Sequence, residues 1–148
     1  MKTTTKVTEI THDELVNLFS TATCGNPWLC FDYKIKDYET LPNTPKDDCF
    51  EDKLAKILLS GKPIYALDFY ADGEVFGKDL PHKIVGEYVK YTLTLDAIKE
   101  GVARVLDGCD TDVKKYVNDW VDEDGCNLDY TEADAIMQWI LFGVVVYG

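Results

Sequence analysis

The 148 residues carry 27 acids against 15 bases, a net charge of −12. That balance disfavours direct binding to DNA, RNA or an anionic membrane surface, because contacts to phosphate come mostly from Lys and Arg. A chain of this length is one domain's worth and buries roughly 68–70% of its unfolded surface. A chain of this size needs neither disulfide nor metal to fold, and its 46% hydrophobic residues argue against disorder.

The start of the chain has no apolar stretch behind its charges, so no secretory leader is expected. Ile136 to Val146 is the longest apolar stretch; Gln138 and Gly143 interrupt it, and it falls well short of the roughly 20 residues of a membrane span. A soluble, cytoplasmic protein is the expectation. Cys24, Cys30, Cys49, Cys109 and Cys126 show no C-x-x-C spacing, so they read as part-buried thiols of a reducing compartment.

In chain order, Thr11 and Glu14 form a capping-box pattern, and Leu15, Leu18, Phe19 and Ala22 recur at helical spacing until Gly25-Asn26-Pro27 breaks the helix. Trp28 to Ile35 alternates as a strand. Asp37 to Lys46 reads as a loop, and Asp47 to Ser60 as a helix with Phe50, Leu54, Ile57 and Leu58 on its apolar face. Ile64 to Ala71 is a second strand. Asp72-Gly73 signals a tight hairpin with a return strand at Glu74 to Phe76. Gly77 to Lys83 reads as a loop. Glu87 to Leu95 alternates most clearly, with Val89, Tyr91, Leu93 and Leu95 on one side. Helices are predicted over Asp96 to Leu106, Thr111 to Val121 and Thr131 to Phe142, and Val144 to Tyr147 as a last strand. Strands early and helices late predict a single α+β domain, residues 1–148: a small, mostly antiparallel sheet with about five helices packed on one face.

The segment from Asp134 through Gln138, Phe142-Gly143 and Val144-Val145-Val146 to Tyr147-Gly148 resembles the terminus of short accessory proteins encoded in phage and prophage genomes. Tyr91 to Gly101 is similar to their central strand-to-helix element, and the opening helix followed by Trp28 to Tyr33 also looks similar. Where that group often has an acid after Phe-Gly, this chain has Val144. The resemblance implies an accessory protein acting in a bacterial host cytoplasm; it implies no reaction.

Chemistry is concentrated in one acidic stretch. Asp107 to Asp134 holds ten acids and only Lys114 and Lys115 as bases, −8 of the net charge. Asp112, Asp119, Asp122, Glu123, Asp124 and Asp129 are the candidate partner-binding residues. Charges on two helix ends and their connecting loop could stand in for a row of phosphates and attract a host protein with a basic surface; a solvated face that aids solubility is the bland alternative. Asp122 and Asp124 with Gly125 fall at positions 3, 5 and 6 of a calcium loop. Trp120 and Thr131 would then occupy positions 1 and 12, where carboxylates are needed. An acidic turn, with Thr131 and Asp134 capping the next helix, is the expectation instead.

No catalytic motif accompanies His12, His82 or Cys49, and no glycine-rich phosphate loop is present, so no cofactor is implied. Tyr65, Phe69, Tyr70, Tyr88 and Tyr91 lie on predicted strands, where core packing is the first reading. A small-molecule role, trapping a nucleotide signal against these aromatics with Lys83, Lys90 and Arg104, is the alternative to an inhibitory interaction protein.

Overall fold

The computed structural model describes residues 9–42, 44–45, 47–108, 110–121 and 128–148. Helix α1 (His12–Ala22) starts on the capping box read from the sequence: Thr11 Oγ1 accepts from the Glu14 N–H at 3.2 Å, and Glu14 Oε1 accepts from the Thr11 N–H at 2.9 Å. All four apolar residues predicted for its inner face are buried. Strand β1 (Leu29–Asp32) follows, then α2 (Ile35–Glu39), α3 (Phe50–Leu59), β2 (Ile64–Asp68), β3 (His82–Val85) and β4 (Tyr88–Leu93). Helices α4 (Leu95–Asp107), α5 (Thr111–Val121) and α6 (Tyr130–Phe142) complete the order.

The four strands form one antiparallel sheet in the order β1-β2-β4-β3. The α+β class is therefore as the sequence predicts. Period-two alternation makes the two faces unlike. Leu29, Phe31, Ile64, Ala66, Val89, Tyr91 and Leu93 are buried on the inner face. On the outer face Cys30 and Asp32 are exposed, and Tyr65, Leu67, Tyr88 and Lys90 are half-buried.

Helix α6 is the hub. It contacts α1, α4 and α5, and seven of its residues are buried, from Ala133 to Leu141. A helix apolar nearly all round is a core helix. Gly101 lets α4 press on it: a Cβ there would stand 2.7 Å from the Ile140 Cα.

Five expectations need correction. The first strand stops at Asp32, whose carboxylate accepts the Tyr33 N–H at 2.8 Å, and Ile35 opens a short helix where strand and loop were predicted. That helix is fixed by Tyr38, buried, whose hydroxyl donates to Asp48 Oδ2 and to the Pro45 carbonyl. Asp72 and Gly73 do turn, both at positive φ (51° and 79°), but no return strand follows: the Gly77 N–H goes instead to the Tyr91 hydroxyl at 3.1 Å.

The outer partner of β4 is His82–Val85, of which the sequence reads His82 and Lys83 as loop and assigns Ile84 and Val85 to no element. Its hairpin turns at Gly86-Glu87 with Gly86 at φ 61°, the position where a two-residue hairpin favours glycine. Finally, 144–147 is not a strand. Of the cysteines, Cys24, Cys30 and Cys49 are free and exposed rather than part-buried; Cys109 and Cys126 lie outside the described residues.

Candidate functional site

The acids of the 107–134 stretch fall into distinct roles once placed. Asp110 Oδ1 accepts the N–H groups of Asp112 and Val113, both at 3.1 Å, at the start of α5. Asp129 is the N-cap of α6: its Oδ1 accepts the Glu132 N–H at 2.8 Å, and Glu132 Oε1 accepts the Asp129 N–H at 3.1 Å. The predicted capping by Thr131 and Asp134 is therefore corrected to Asp129 with Glu132. Negative side chains at this end also suit the positive pole of the helix.

Among the six candidate partner-binding residues, Asp112 and Asp129 are exposed and Asp119 is half-buried; Asp122, Glu123 and Asp124 lie outside the described residues. Asp112 and Asp119 share a side of α5, about two turns or roughly 10.5 Å apart. Asp119 comes against Glu132. Burial raises the Glu132 pKa first, and the charges of Asp129 and Asp119 raise it further, against the lowering effect of the Asp129 N–H. Asp119, Asp129 and Glu132 thus crowd one corner where α5 ends and α6 begins. Among the described residues no group of three His, Cys, Asp or Glu is arranged to hold a metal.

Asp134 belongs elsewhere. Its carboxylate accepts from Trp28 Nε1 at 2.6 Å and from Gln138 Nε2 at 2.9 Å. Gln138 is fully buried. Its second amide hydrogen goes to the Tyr147 carbonyl at 2.9 Å, and its Oε1 accepts the N–H groups of Val146 and Tyr147, each at 2.7 Å. Every donor and acceptor of the amide is used. The Tyr147 hydroxyl then reaches Asp68, 2.7 Å from Oδ2, while Oδ1 accepts the Tyr70 N–H at 3.0 Å. Phe142 packs its ring against those of Trp28, Phe76, Tyr91 and Tyr147. Gly143 ends α6 in the left-handed region at φ 75°, the usual glycine C-terminus.

No family model, curated protein or solved structure matches this chain. Its own geometry accounts for the Asp, Gln, Phe-Gly and Tyr spacing near the end of the sequence: these residues latch the tail onto Trp28, β2 and α6.

Asp68 was not singled out by the sequence reading, although alternation along Ile64 to Asp68 puts it on the core-facing side. It is fully buried and pairs with no cation among the described residues, so burial raises its pKa above the ordinary 3.8, against the lowering effect of Tyr147 and the Tyr70 N–H. A folded state that holds the proton more tightly than the unfolded chain gains stability below that window and loses it as pH rises through the raised value. Asp68→Asn keeps an acceptor for Tyr70 and Tyr147 and removes the ionisation. Urea midpoints at pH 4 and pH 7 should show the variant gaining on the wild type as pH rises; a difference independent of pH would contradict a buried, uncompensated carboxylate.

Neither element of the proposed nucleotide trap forms as drawn. Tyr91 is core, but Phe69 and Tyr70 are 46% and 55% exposed, and Tyr65 and Tyr88 lie on the open sheet face. Lys83 and Lys90 are register partners there, with Lys90 Nζ 4.2 Å from the Tyr65 ring centroid. Arg104 lies apart, on α4.

Proposed function

We propose that the chain is an acidic interaction protein that inhibits a host factor by offering its basic, nucleic-acid-binding surface a substitute for phosphate charge. The resemblance of its Asp134-to-Gly148 pattern to the termini of phage and prophage accessory proteins is the reason for placing the target in a bacterial defence or nucleic-acid-handling complex. The observation that carries the reading is the crowding of Asp119, Asp129 and Glu132 at the junction of α5 and α6. The cap accounts for Asp129 and Glu132, but Asp119 adds a like charge beside Glu132 that the cap does not use, and a cationic partner relieves that repulsion. Asp112 extends the same side along α5, and Asp122, Glu123 and Asp124 continue the charge in sequence between the two helices.

The test replaces Asp119, Asp122, Glu123 and Asp124 by Asn or Gln and compares capture of host proteins from a bacterial lysate at low and high salt. The variant should fold as well as the parent or slightly better, because Asp119 no longer raises the cost of ionising Glu132. Capture should fall by about tenfold or more, chiefly through a slower on-rate, and the parent's own capture should weaken with salt. Undiminished, salt-independent capture by a well-folded variant removes the acidic surface from consideration.

A further inference from the structure

Between residues 76–80, α4 and the end of α6 lies a cavity of about 440 Å³, within the roughly 300–1,000 Å³ usual for small-ligand sites. Its floor is fixed by close packing. A Cβ on Gly77 would stand 2.3 Å from the Leu141 carbonyl oxygen and 2.8 Å from the Tyr91 ring, so only glycine lets this loop lie on α6. Gly101 does the same for α4, and Arg104, one turn further along, is carried to the cavity wall.

The lining has two parts. Phe76 and Phe142, with ring centroids 6.0 Å apart and edge-to-face, supply an aromatic surface. Lys78 and Arg104 supply positive charge. Arg104 is the sole arginine of the sequence. In a chain with 27 acids, neither cation pairs with a carboxylate among the described residues. Asp79 also lines the cavity but bonds to neither. The carbonyls at the end of α6, which has no basic residue in its last turn, attract one cation. Two unpaired cations on a concave, aromatic-walled surface leave positive charge facing the space between them.

We propose that this cavity binds a small planar anion, an aromatic ring carrying a phosphate or carboxylate, with the ring against Phe76 and Phe142 and the negative group between Lys78 and Arg104. A guanidinium and an ammonium together favour an oxyanion through charge-assisted hydrogen bonds, and the phenyl rings favour a flat partner. The site shares no residue with the acidic corner of α5 and α6, so either proposal can fail without the other.

The experiment is calorimetric titration of the full chain with adenosine 5′-monophosphate and with benzoate, using adenosine and inorganic phosphate as probes for each half of the ligand. At least one of the two anions should bind with a Kd below about 1 mM, and adenosine and inorganic phosphate should each bind about tenfold more weakly than adenosine 5′-monophosphate. Arg104→Gln and Lys78→Gln, both at exposed positions, should each weaken binding by about fivefold or more. In amide NMR spectra the Gly77 and Gly143 signals should move. Failure of both anions to bind below about 1 mM, unchanged affinity in the Arg104→Gln/Lys78→Gln double variant, or shifts confined to the open sheet face around Tyr65 and Lys90 would each overturn the assignment.

Discussion

Replacing Gln138 by Ala should destabilise the fold by about 3 kcal/mol or more, since each buried polar group left without a partner costs roughly 1–3 kcal/mol. The groups stranded are the N–H of Val146, the N–H and carbonyl of Tyr147, and one oxygen of Asp134. The tail can escape that penalty only by undocking into water. Undocking removes the Tyr147 ring from Trp28 and its hydroxyl from Asp68, so one loss is exchanged for another. Gln138→Glu sharpens the test: the shape and the acceptor survive, but a carboxylate then faces both Asp134 and the Tyr147 carbonyl. At neutral pH it should be as damaging as Ala, and acid should partly rescue it. Urea unfolding followed by tryptophan fluorescence reads both variants. A midpoint for Gln138→Ala equal to the parent's would mean the tail is not held as described.

Gly77→Ala should cost about 3–4 kcal/mol, at or above the upper end of overpacking penalties, because the clash is with backbone. The added methyl meets the Leu141 carbonyl at 2.3 Å, and a carbonyl in the last turn of a core helix cannot swing aside as a side-chain end can. Gly101→Ala is the informative companion. In an exposed helix that change gains roughly 0.5–1 kcal/mol; here the methyl falls 2.7 Å from the Ile140 Cα, and the sign should reverse. Thermal melts decide both. A stabilised Gly101→Ala protein would show that α4 and α6 are not in the close contact described. Gly77→Ala would additionally deform the cavity floor, so it is unsuited to testing ligand binding, for which the exposed Arg104 and Lys78 serve.

Helices with a strong apolar period were legible. Thr111 to Val121 was placed with both ends right, and Val113, Val117 and Trp120 are buried as their spacing requires. Ile98, Val102 and Val105 of α4 behave alike. Phe50, assigned to the inner face of α3, is instead 41% exposed, because it stands in the first turn, where the helix has begun but the core beneath has not; its ring meets Tyr33 instead.

Strand β3 was illegible for a related reason. His82, Lys83 and Ile84 are all exposed, so an edge strand that buries nothing leaves no alternation to read. Tyr38 could not be seen as an anchor, since its partner Asp48 lies beyond two prolines; there Lys56 at 2.6 Å, then Tyr38, hold the Asp48 pKa below its ordinary value.

The acidic candidates divided along similar lines. Composition counted ten charges in one stretch, but counting could not separate Asp129, which caps a helix, or Asp134, which holds Trp28 and Gln138, from Asp112, which faces water. Only the fold puts Asp119 beside Glu132. That Lys78 and Arg104 face one cavity with no carboxylate partner among the described residues is equally invisible in the sequence, where they are 26 residues apart.

The latch has a consequence for how the protein is born. Tyr147 lies 79 positions after Asp68, and Asp134 and Trp120 each lie 106 after the groups they bond, Trp28 and Glu14. The ribosome therefore delivers the sheet long before the residues that seal it. Contacts of such high sequence separation slow folding, since loop closure must precede any gain from the contact. Trp28, Asp68 and Tyr91 are all made before Asp134, Phe142 and Tyr147, the residues that pack on or bond to them, so a chain halted before Gln138 is expected to expose that surface to chaperones and proteases.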